Sequence, residues 1–194
     1  MRRVVSSVKC VAHVFSSIPE YFALFGLEPR FAIDTVGLTN AYREVLSRVH
    51  PDRYAGAGAS DRRVAMQLAS HANEAYRILK SDSARAAYLC RSNGVALEGP
   101  TAAVPAASFL ERQMRWHEAL DVAHKASDAS AVAEVAREVA QQHRELLSRI
   151  AQLIDERKDY EGAAEAVRSL MFLEKIQAEI DRVTAHRDQT TATD

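Results

Sequence analysis

The chain has 194 residues, of which 47% are hydrophobic and 26% charged, and its formal net charge is −1. This composition suits a soluble globular protein of one large or two small domains, and the balanced charge offers no global field to attract nucleic acid or an anionic membrane surface. The two cysteines, Cys10 and Cys90, belong to no Cys-x-x-Cys pair, which argues against a disulfide scaffold or a zinc ribbon, and no apolar run approaches the roughly 20 residues that span a bilayer.

Residues 1–18 allow two interpretations. Arg2, Arg3 and Lys9, together with several serines and no acid before Glu20, faintly resemble an organellar transit peptide. The alternative is a frayed N-terminal extension of a cytoplasmic protein. We therefore expect an extension over 1–18 and a cytoplasmic location, with the mitochondrial matrix as the alternative.

Two helices are predicted after this extension. Pro19 suits the first position of a short helix that stops at Gly26. Asp34 or Thr35 can cap the second helix, which should end near Val49. The apolar positions of this second helix recur at helical spacing, and they are Leu38, Tyr42, Val45 and Val49.

The tripeptide His50-Pro51-Asp52 stands where the second helix must end. Proline disfavours helical geometry in the residue before it, so these three residues are held on a turn with little freedom. A carboxylate presented in this way can form a charge-assisted bond to an arginine of another protein, at a low entropic cost. Arg43 and Arg48 would add a basic approach face. The alternative is a helix-stop turn without a partner.

Residues 53–60 are predicted to form a flexible loop that leads into a third helix. The apolar face of this helix consists of Val64, Leu68, His71 or Ala72, Ala75 and Leu79. A short fourth helix from about Ser83 to Arg91 ends at Asn93-Gly94. Residues 95–106 contain Gly99, Pro100 and Pro105 and are typical of a linker, so we expect a first domain over 19–94.

Residues 107–187 are predicted to form three further helices. Ser108 and Glu111 have the spacing of a capping box, and the helix that they begin should run to about Lys125. Asp128 can cap the next helix, and the last begins after Asp159. The second of the three carries a coiled-coil-like seam of Val132, Ala136, Val139, His143, Leu146, Ile150 and Leu153. The third carries Val167, Leu170, Leu173, Ile176, Ile180 and Val183. The predicted fold is all-α, with an antiparallel three-helix bundle and a disordered tail over 188–194.

Taken together, the first half resembles a J-domain. The resemblance rests on Tyr42 and Arg43, on the His50-Pro51-Asp52 loop, and on Asn73-x-x-Tyr76 in the third helix. We expect Asn73, Tyr76 and Tyr88 to be structural residues that brace the second and third helices. Further stretches are similar to the HscB type of co-chaperone, which serves iron–sulfur cluster assembly. These stretches are residues 21–27, 50–54, 73–79, 85–89, Phe109-Leu110-x-x-Gln113-Met114 and Arg168-x-Leu170-x-Phe172-Leu173. The likeness extends from about 19 to 185.

The resemblance implies a J-domain and a C-terminal bundle in an L-shaped arrangement. It implies that the J-domain stimulates ATP hydrolysis by a DnaK/HscA-class chaperone, and that the C-terminal domain delivers the scaffold protein IscU. Asp52 would engage an arginine network of the chaperone, His50 and Pro51 would shape the loop, and Arg43 and Arg48 would steer docking. The expected protein has no catalytic activity, cofactor or metal of its own and acts as a monomer or weak dimer.

A helical wheel identifies two apolar anomalies in the second half. Phe109, Trp116, Leu120 and Ala123 share one side of the first bundle helix, the natural core face, while Leu110 and Met114 fall among acids on the other side. In the last helix Phe172 lies in line with charged residues. Exposed apolar anchors ringed by polar residues are typical of a partner interface.

The family's scaffold-binding surface matches the positions of Leu110, Met114, Glu118 and Phe172. This chain departs from its relatives at Glu111, Arg112 and Arg115, because relatives tend to have an apolar residue after the leucine and acids along the patch. A structural alternative for Leu110 and Met114 is packing against the J-domain or the linker.

Two other functions remain open from the sequence. The first is a general J-domain co-chaperone whose bundle holds unfolded clients, and the second is a helical adaptor. A holdase would need a larger, methionine-rich groove than the compact seam suggests, and an adaptor would have no use for the tripeptide. A catalytic His–Asp pair is excluded because no serine or cysteine nucleophile stands in a recognisable elbow.

Overall fold

The computed structural model describes residues 20–49, 58–98, 107–126 and 128–191, and every regular element within these ranges is helical. The all-α prediction is therefore confirmed for them. None of their helices is long and apolar enough to cross a membrane. The elements are α1 (Glu20–Leu24), α2 (Thr35–Val49), α3 (Ala59–Lys80), α4 (Asp82–Ser92), α5 (Ala107–Lys125), α6 (Ala129–Ala151), a π-helix (Gln152–Arg157) and α7 (Tyr160–Thr191).

The chain divides between Asn93 and Gly94 into two compact units, named unit 1 and unit 2 in chain order. In unit 1 the predicted end of α1 and the predicted start of α2 are confirmed. Gly26 adopts a φ of +65°, which a residue with a side chain rarely tolerates, and it ends α1. Asp34 caps α2 by accepting a 2.9 Å hydrogen bond from the Val36 amide. The core of unit 1 includes Phe22, Leu38, Ala72, Ala75, Leu79 and Ala86.

A cluster of polar and aromatic side chains joins α2 to α3. The ring of Tyr42 stacks on Tyr76 at a centroid distance of 4.0 Å, and its hydroxyl donates to Asn73 Oδ1 at 2.9 Å. Thr39 and Tyr76 share a hydrogen bond of 3.2 Å. That bond, followed by the Lys80 ammonium, lowers the pKa of Tyr76 below its usual value. The prediction that Asn73 and Tyr76 brace the second and third helices is confirmed.

Tyr88 has a different role from the one predicted. It was expected to brace the same two helices, but its ring stacks on Tyr21 of α1 at 4.6 Å and lies 6.1 Å from Phe22. The reason is that α4 places Tyr88 beside the short first helix. Tyr88 therefore holds α1 to α4.

Arg85 on α4 is a buried charge, with 4% of its surface exposed. Its guanidinium donates to the Phe31 carbonyl at 2.8 Å and to the Leu79 carbonyl at 2.6 Å, and it pairs with Asp82. It also lies 4.9 Å from the centre of the Phe31 ring. One side chain thus ties the segment between α1 and α2 to the corner between α3 and α4.

We expect Arg85→Met to destabilise unit 1 by about 2 to 4 kcal/mol, because it leaves two buried carbonyl groups without this donor. The matched control is Arg77→Met, which removes an exposed arginine paired with Glu74 on α3. The control substitution should lower the free energy of unfolding by less than about 1 kcal/mol. Amide hydrogen exchange of α4 measures the loss, and equal protection in both variants would contradict the structural role of Arg85.

Unit 2 contains α5, α6 and α7, which pack on one another around an apolar core. The predicted core face of α5 is confirmed, since Phe109, Trp116, Leu120 and Ala123 are all buried. The predicted seam of α6 is confirmed at five positions, Val132, Val139, Leu146, Ile150 and Leu153. Ala136 and His143 are only half-buried, and Val135 is buried in addition. A straight helix drifts relative to a seven-residue repeat, which explains this shift.

The end of α6 passes into a π-helix that the sequence did not indicate. It stops at Lys158, which adopts a left-handed φ of 55°. Asp159 then caps the start of α7 by accepting a 2.9 Å hydrogen bond from the Gly162 amide. The predicted start of the last helix is confirmed.

Three predicted boundaries are wrong by a few residues. The helix α3 begins at Ala59, inside the predicted loop, and α5 begins at Ala107, so Ser108 lies within the helix and cannot be its cap. The helix α7 continues to Thr191, so the prediction of disorder is wrong for 188–191. Polar residues with moderate helix propensity extend a helix that is already nucleated by its packed part.

Candidate functional site

The two arginines predicted to steer a partner lie on α2 and are both exposed. They are five residues apart, so they point about 140° away from each other around the helix axis. Arg43 lies near enough to Tyr76 to lower the pKa of that phenol slightly, after the stronger effects of Thr39 and Lys80. Arg48 pairs with Glu44 on its own helix. The two positive charges therefore flank the helix and do not form one cluster.

The tripeptide His50-Pro51-Asp52 lies outside the described residues. The structure does describe the residue that precedes it, since α2 ends at Val49, whose side chain is buried. The α2–α3 contacts of Tyr42 fix this helix against its neighbour. The chain thus enters the tripeptide from a firmly packed helix end.

The outward face of α5 carries the apolar side chains that the wheel analysis singled out. Leu110 is 37% exposed and Met114 is 71% exposed, one turn apart. Glu118 follows a further turn along and is also exposed. Met114 and Glu118 line an open depression with Ser108, Glu111, Arg112 and Arg115. The predicted exposure of Leu110 and Met114 is confirmed.

Phe172 is placed differently from the prediction of an exposed aromatic. It is half-buried against α5, where its ring meets Phe109 edge-on at 6.3 Å and His117 edge-on at 6.4 Å. His117 Nδ1 in turn lies 3.2 Å from Glu179 Oε2. Phe172 therefore sits on the flank of α5 that carries Phe109 and His117, and part of its ring remains accessible.

The charges around the α5 depression are balanced. Glu111 and Glu118 face Arg112 and Arg115. Arg112, however, donates a hydrogen bond to Gln142 of α6, which holds it within the bundle. Arg115 is the exposed base of the group. Within the described ranges, no three side chains able to ligate a metal lie close together.

Val122 is an exposed apolar residue of α5 that the sequence reasoning missed. It is 61% exposed, which is unusual for a valine on a helix that packs in a bundle. The available signal was its spacing, because Leu110, Met114, Glu118 and Val122 recur every four residues. We name these four residues the α5 stripe.

Three sequence comparisons show what this chain is similar to. A family model described as the HSCB C-terminal oligomerisation domain matches residues 106–181. The co-chaperone protein HscB homologue of Bordetella avium is 47% identical over 164 residues, which cover 84% of this chain and 96% of that protein. The homologue of Bordetella pertussis is 49% identical over 163 residues, covering 83% and 94%.

Solved structures agree with these matches. The chaperone HscB from Vibrio cholerae superposes with a TM-score of 0.77 at 31% identity and covers 86% of this chain and 98% of that chain. The human co-chaperone protein HscB has a TM-score of 0.78 at 23% identity, covering 86% and 82%, and supports the fold alone. The resemblance and the fold class predicted from the sequence are thereby confirmed.

Proposed function

The chain belongs to the HscB family of co-chaperones, and on this premise we propose that it stimulates the ATPase of a DnaK/HscA-class chaperone and delivers an IscU-type iron–sulfur scaffold to it. The observation that carries the proposal is that the two units carry different features. Unit 1 bears the J-domain motifs on tightly braced helices, and unit 2 presents an exposed apolar stripe on a folded bundle.

In unit 1 the chaperone would meet the tripeptide and the two arginines of α2. Asp52 would pair with an arginine of the chaperone, and His50 and Pro51 would hold the turn in the docking conformation. Arg43 and Arg48 would accelerate encounter with an acidic surface by steering. Glu44 offsets part of the Arg48 charge. Arg43 is then the stronger contributor to steering.

In unit 2 the scaffold would cover Leu110 and Met114 and reach the accessible part of Phe172. Exposed apolar side chains surrounded by charges provide anchors whose burial stabilises a complex, while the charged rim sets orientation. Glu118 would provide one such rim charge. The hydrogen bond from Arg112 to Gln142 keeps this base within the bundle, which leaves Arg115 as the exposed positive charge beside the anchors.

In this proposal the chain is a non-catalytic, cytoplasmic monomer. Hydrolysis takes place on the chaperone, and the co-chaperone contributes two binding surfaces. Binding of one partner by each unit raises the local concentration of the scaffold at the chaperone, which is an effective-concentration effect that needs no further contact.

A competition titration tests the choice of cargo. Fluorescently labelled apo-IscU-type scaffold is titrated with the full chain, and a chemically unfolded model protein is then added in excess. We expect a saturable complex that the unfolded protein does not displace, because the α5 stripe is a small, fixed surface. Displacement of the scaffold by the excess of unfolded protein would favour a general client-binding co-chaperone instead.

A further inference from the structure

Met114 of the α5 stripe carries a thioether on the surface that, in the proposed function, binds the scaffold. Met114 is 71% exposed, compared with 62% for Met66 and 42% for Met171. It is thus the most exposed of the three methionines in the described ranges. Accessible methionines at interfaces are the ones that oxidants reach.

We propose that Met114 is a site of reversible oxidation, and that its conversion to the sulfoxide by hydrogen peroxide weakens scaffold binding. The inference rests on the proposed function. In the reaction the sulfur attacks one peroxide oxygen, a sulfur–oxygen bond forms and the oxygen–oxygen bond breaks. The thioether loses two electrons and the peroxide is reduced to water, so the only co-reactant is the peroxide itself.

The effect on binding follows from the polarity of the product. A methionine anchor contributes by leaving water for an apolar surface, whereas a sulfoxide carries an oxygen that water solvates strongly. Glu111 and Glu118 accept hydrogen bonds and cannot donate one to this oxygen when ionised, whereas Arg112, Arg115 and Ser108 of the same depression can. One such donor replaces only part of the water around the sulfoxide and does not restore the lost apolar contact, so we expect the affinity for the scaffold to fall about tenfold.

The other sulfur atoms of the described residues provide internal controls. Met66 lies on α3 of unit 1 and is nearly as exposed as Met114, but it is outside the α5 stripe. Met171 lies on α7 beside Phe172 and is less exposed. Cys90 is fully buried, which slows its oxidation. Met114→Leu keeps all of these groups and a side chain of similar size, so it isolates the one thioether.

The experiment oxidises the full chain alone with hydrogen peroxide and removes the excess with catalase before apo-IscU-type scaffold is added. Peptide mass spectrometry measures the sulfoxide at each methionine, and a titration measures the affinity. We expect treated wild type to bind about tenfold or more weakly. We expect treated Met114→Leu to bind with the same affinity as untreated Met114→Leu. We expect methionine sulfoxide reductases A and B, supplied with dithiothreitol as the reductant, to restore the affinity of treated wild type.

Three outcomes would overturn the inference. Met114 could resist oxidation under conditions that oxidise Met66, the treated wild type could keep its affinity with sulfoxide present at Met114, or treated Met114→Leu could lose as much affinity as treated wild type. Untreated protein that does not bind the scaffold would instead overturn the proposed function, so the two failures are distinguishable.

Discussion

The His50→Gln variant is expected to lose nearly all stimulation of the chaperone ATPase while it keeps its fold and its affinity for the scaffold. In the proposed function, docking depends on how the tripeptide presents Asp52 to the chaperone. The helix α2 ends at the buried Val49 and is fixed to α3 through Tyr42, so the turn starts from a rigid base. Loss of the imidazole removes the local contacts that would keep Asp52 in position, and the lost preorganisation weakens docking.

The Asp52→Asn variant removes the charge of Asp52 and keeps a side chain of nearly the same shape. Removing one partner of a hydrogen-bonded charge pair costs about 2 kcal/mol or more, which is about a thirtyfold loss of chaperone affinity. Asp61→Asn is the matched control, since Asp61 is an exposed acid in the first turn of α3. Steady-state ATP hydrolysis measures the effect. Full stimulation by His50→Gln, or equal losses in Asp52→Asn and Asp61→Asn, would contradict the assignment of the tripeptide.

The triple substitution Leu110→Ala, Met114→Ala and Phe172→Ala is expected to weaken scaffold binding about a hundredfold. In the proposed complex these side chains are the apolar anchors of unit 2, and central anchors carry most of the free energy of an interface. Stimulation of the chaperone ATPase in the absence of scaffold should be unchanged, because the substitutions lie in the other unit. A titration with labelled apo-scaffold measures the affinity.

Two further variants control for damage to the bundle. Phe172→Ala removes the edge-on contacts with Phe109 and His117 and should lower stability by about 1 kcal/mol. The double variant Leu110→Ala and Met114→Ala removes exposed atoms and should leave stability within about 0.5 kcal/mol. Val36→Ala with Met66→Ala removes exposed apolar atoms from unit 1 as a matched control. If the double variant binds the scaffold as tightly as wild type does, Leu110 and Met114 are not anchors of the scaffold.

Much of the fold followed from the sequence because each helix signals its ends and its buried face locally. Asp34 and Asp128 cap the helices for which they were predicted, the last helix begins just after Asp159 as predicted, and Gly26 ends α1. The core face of α5 also follows from a period of 3.6 residues. These features depend on residues within a turn or two of one another.

The errors in side-chain placement occur where the outcome depends on several helices at once. The wheel treats α7 as having one buried and one exposed face, but a helix in a bundle of three has flanks that touch a neighbour. Phe172 lies on such a flank and is half-buried against Phe109 and His117. Tyr88 likewise contacts α1, whose position no local pattern fixes. By contrast, the exposure of Val122 and the divergence of Arg43 and Arg48 could have been read from their spacing.

The central claim is that one chain must hold the chaperone and the scaffold together. It is tested by the chaperone ATPase rate as a function of scaffold concentration, with wild type or with an equimolar mixture of His50→Gln and the triple alanine variant. The mixture contains both functional surfaces, but on separate chains. We predict that wild type sharply lowers the scaffold concentration needed for half-maximal activity, whereas the mixture does not. A mixture that reproduces the wild-type curve would contradict the account.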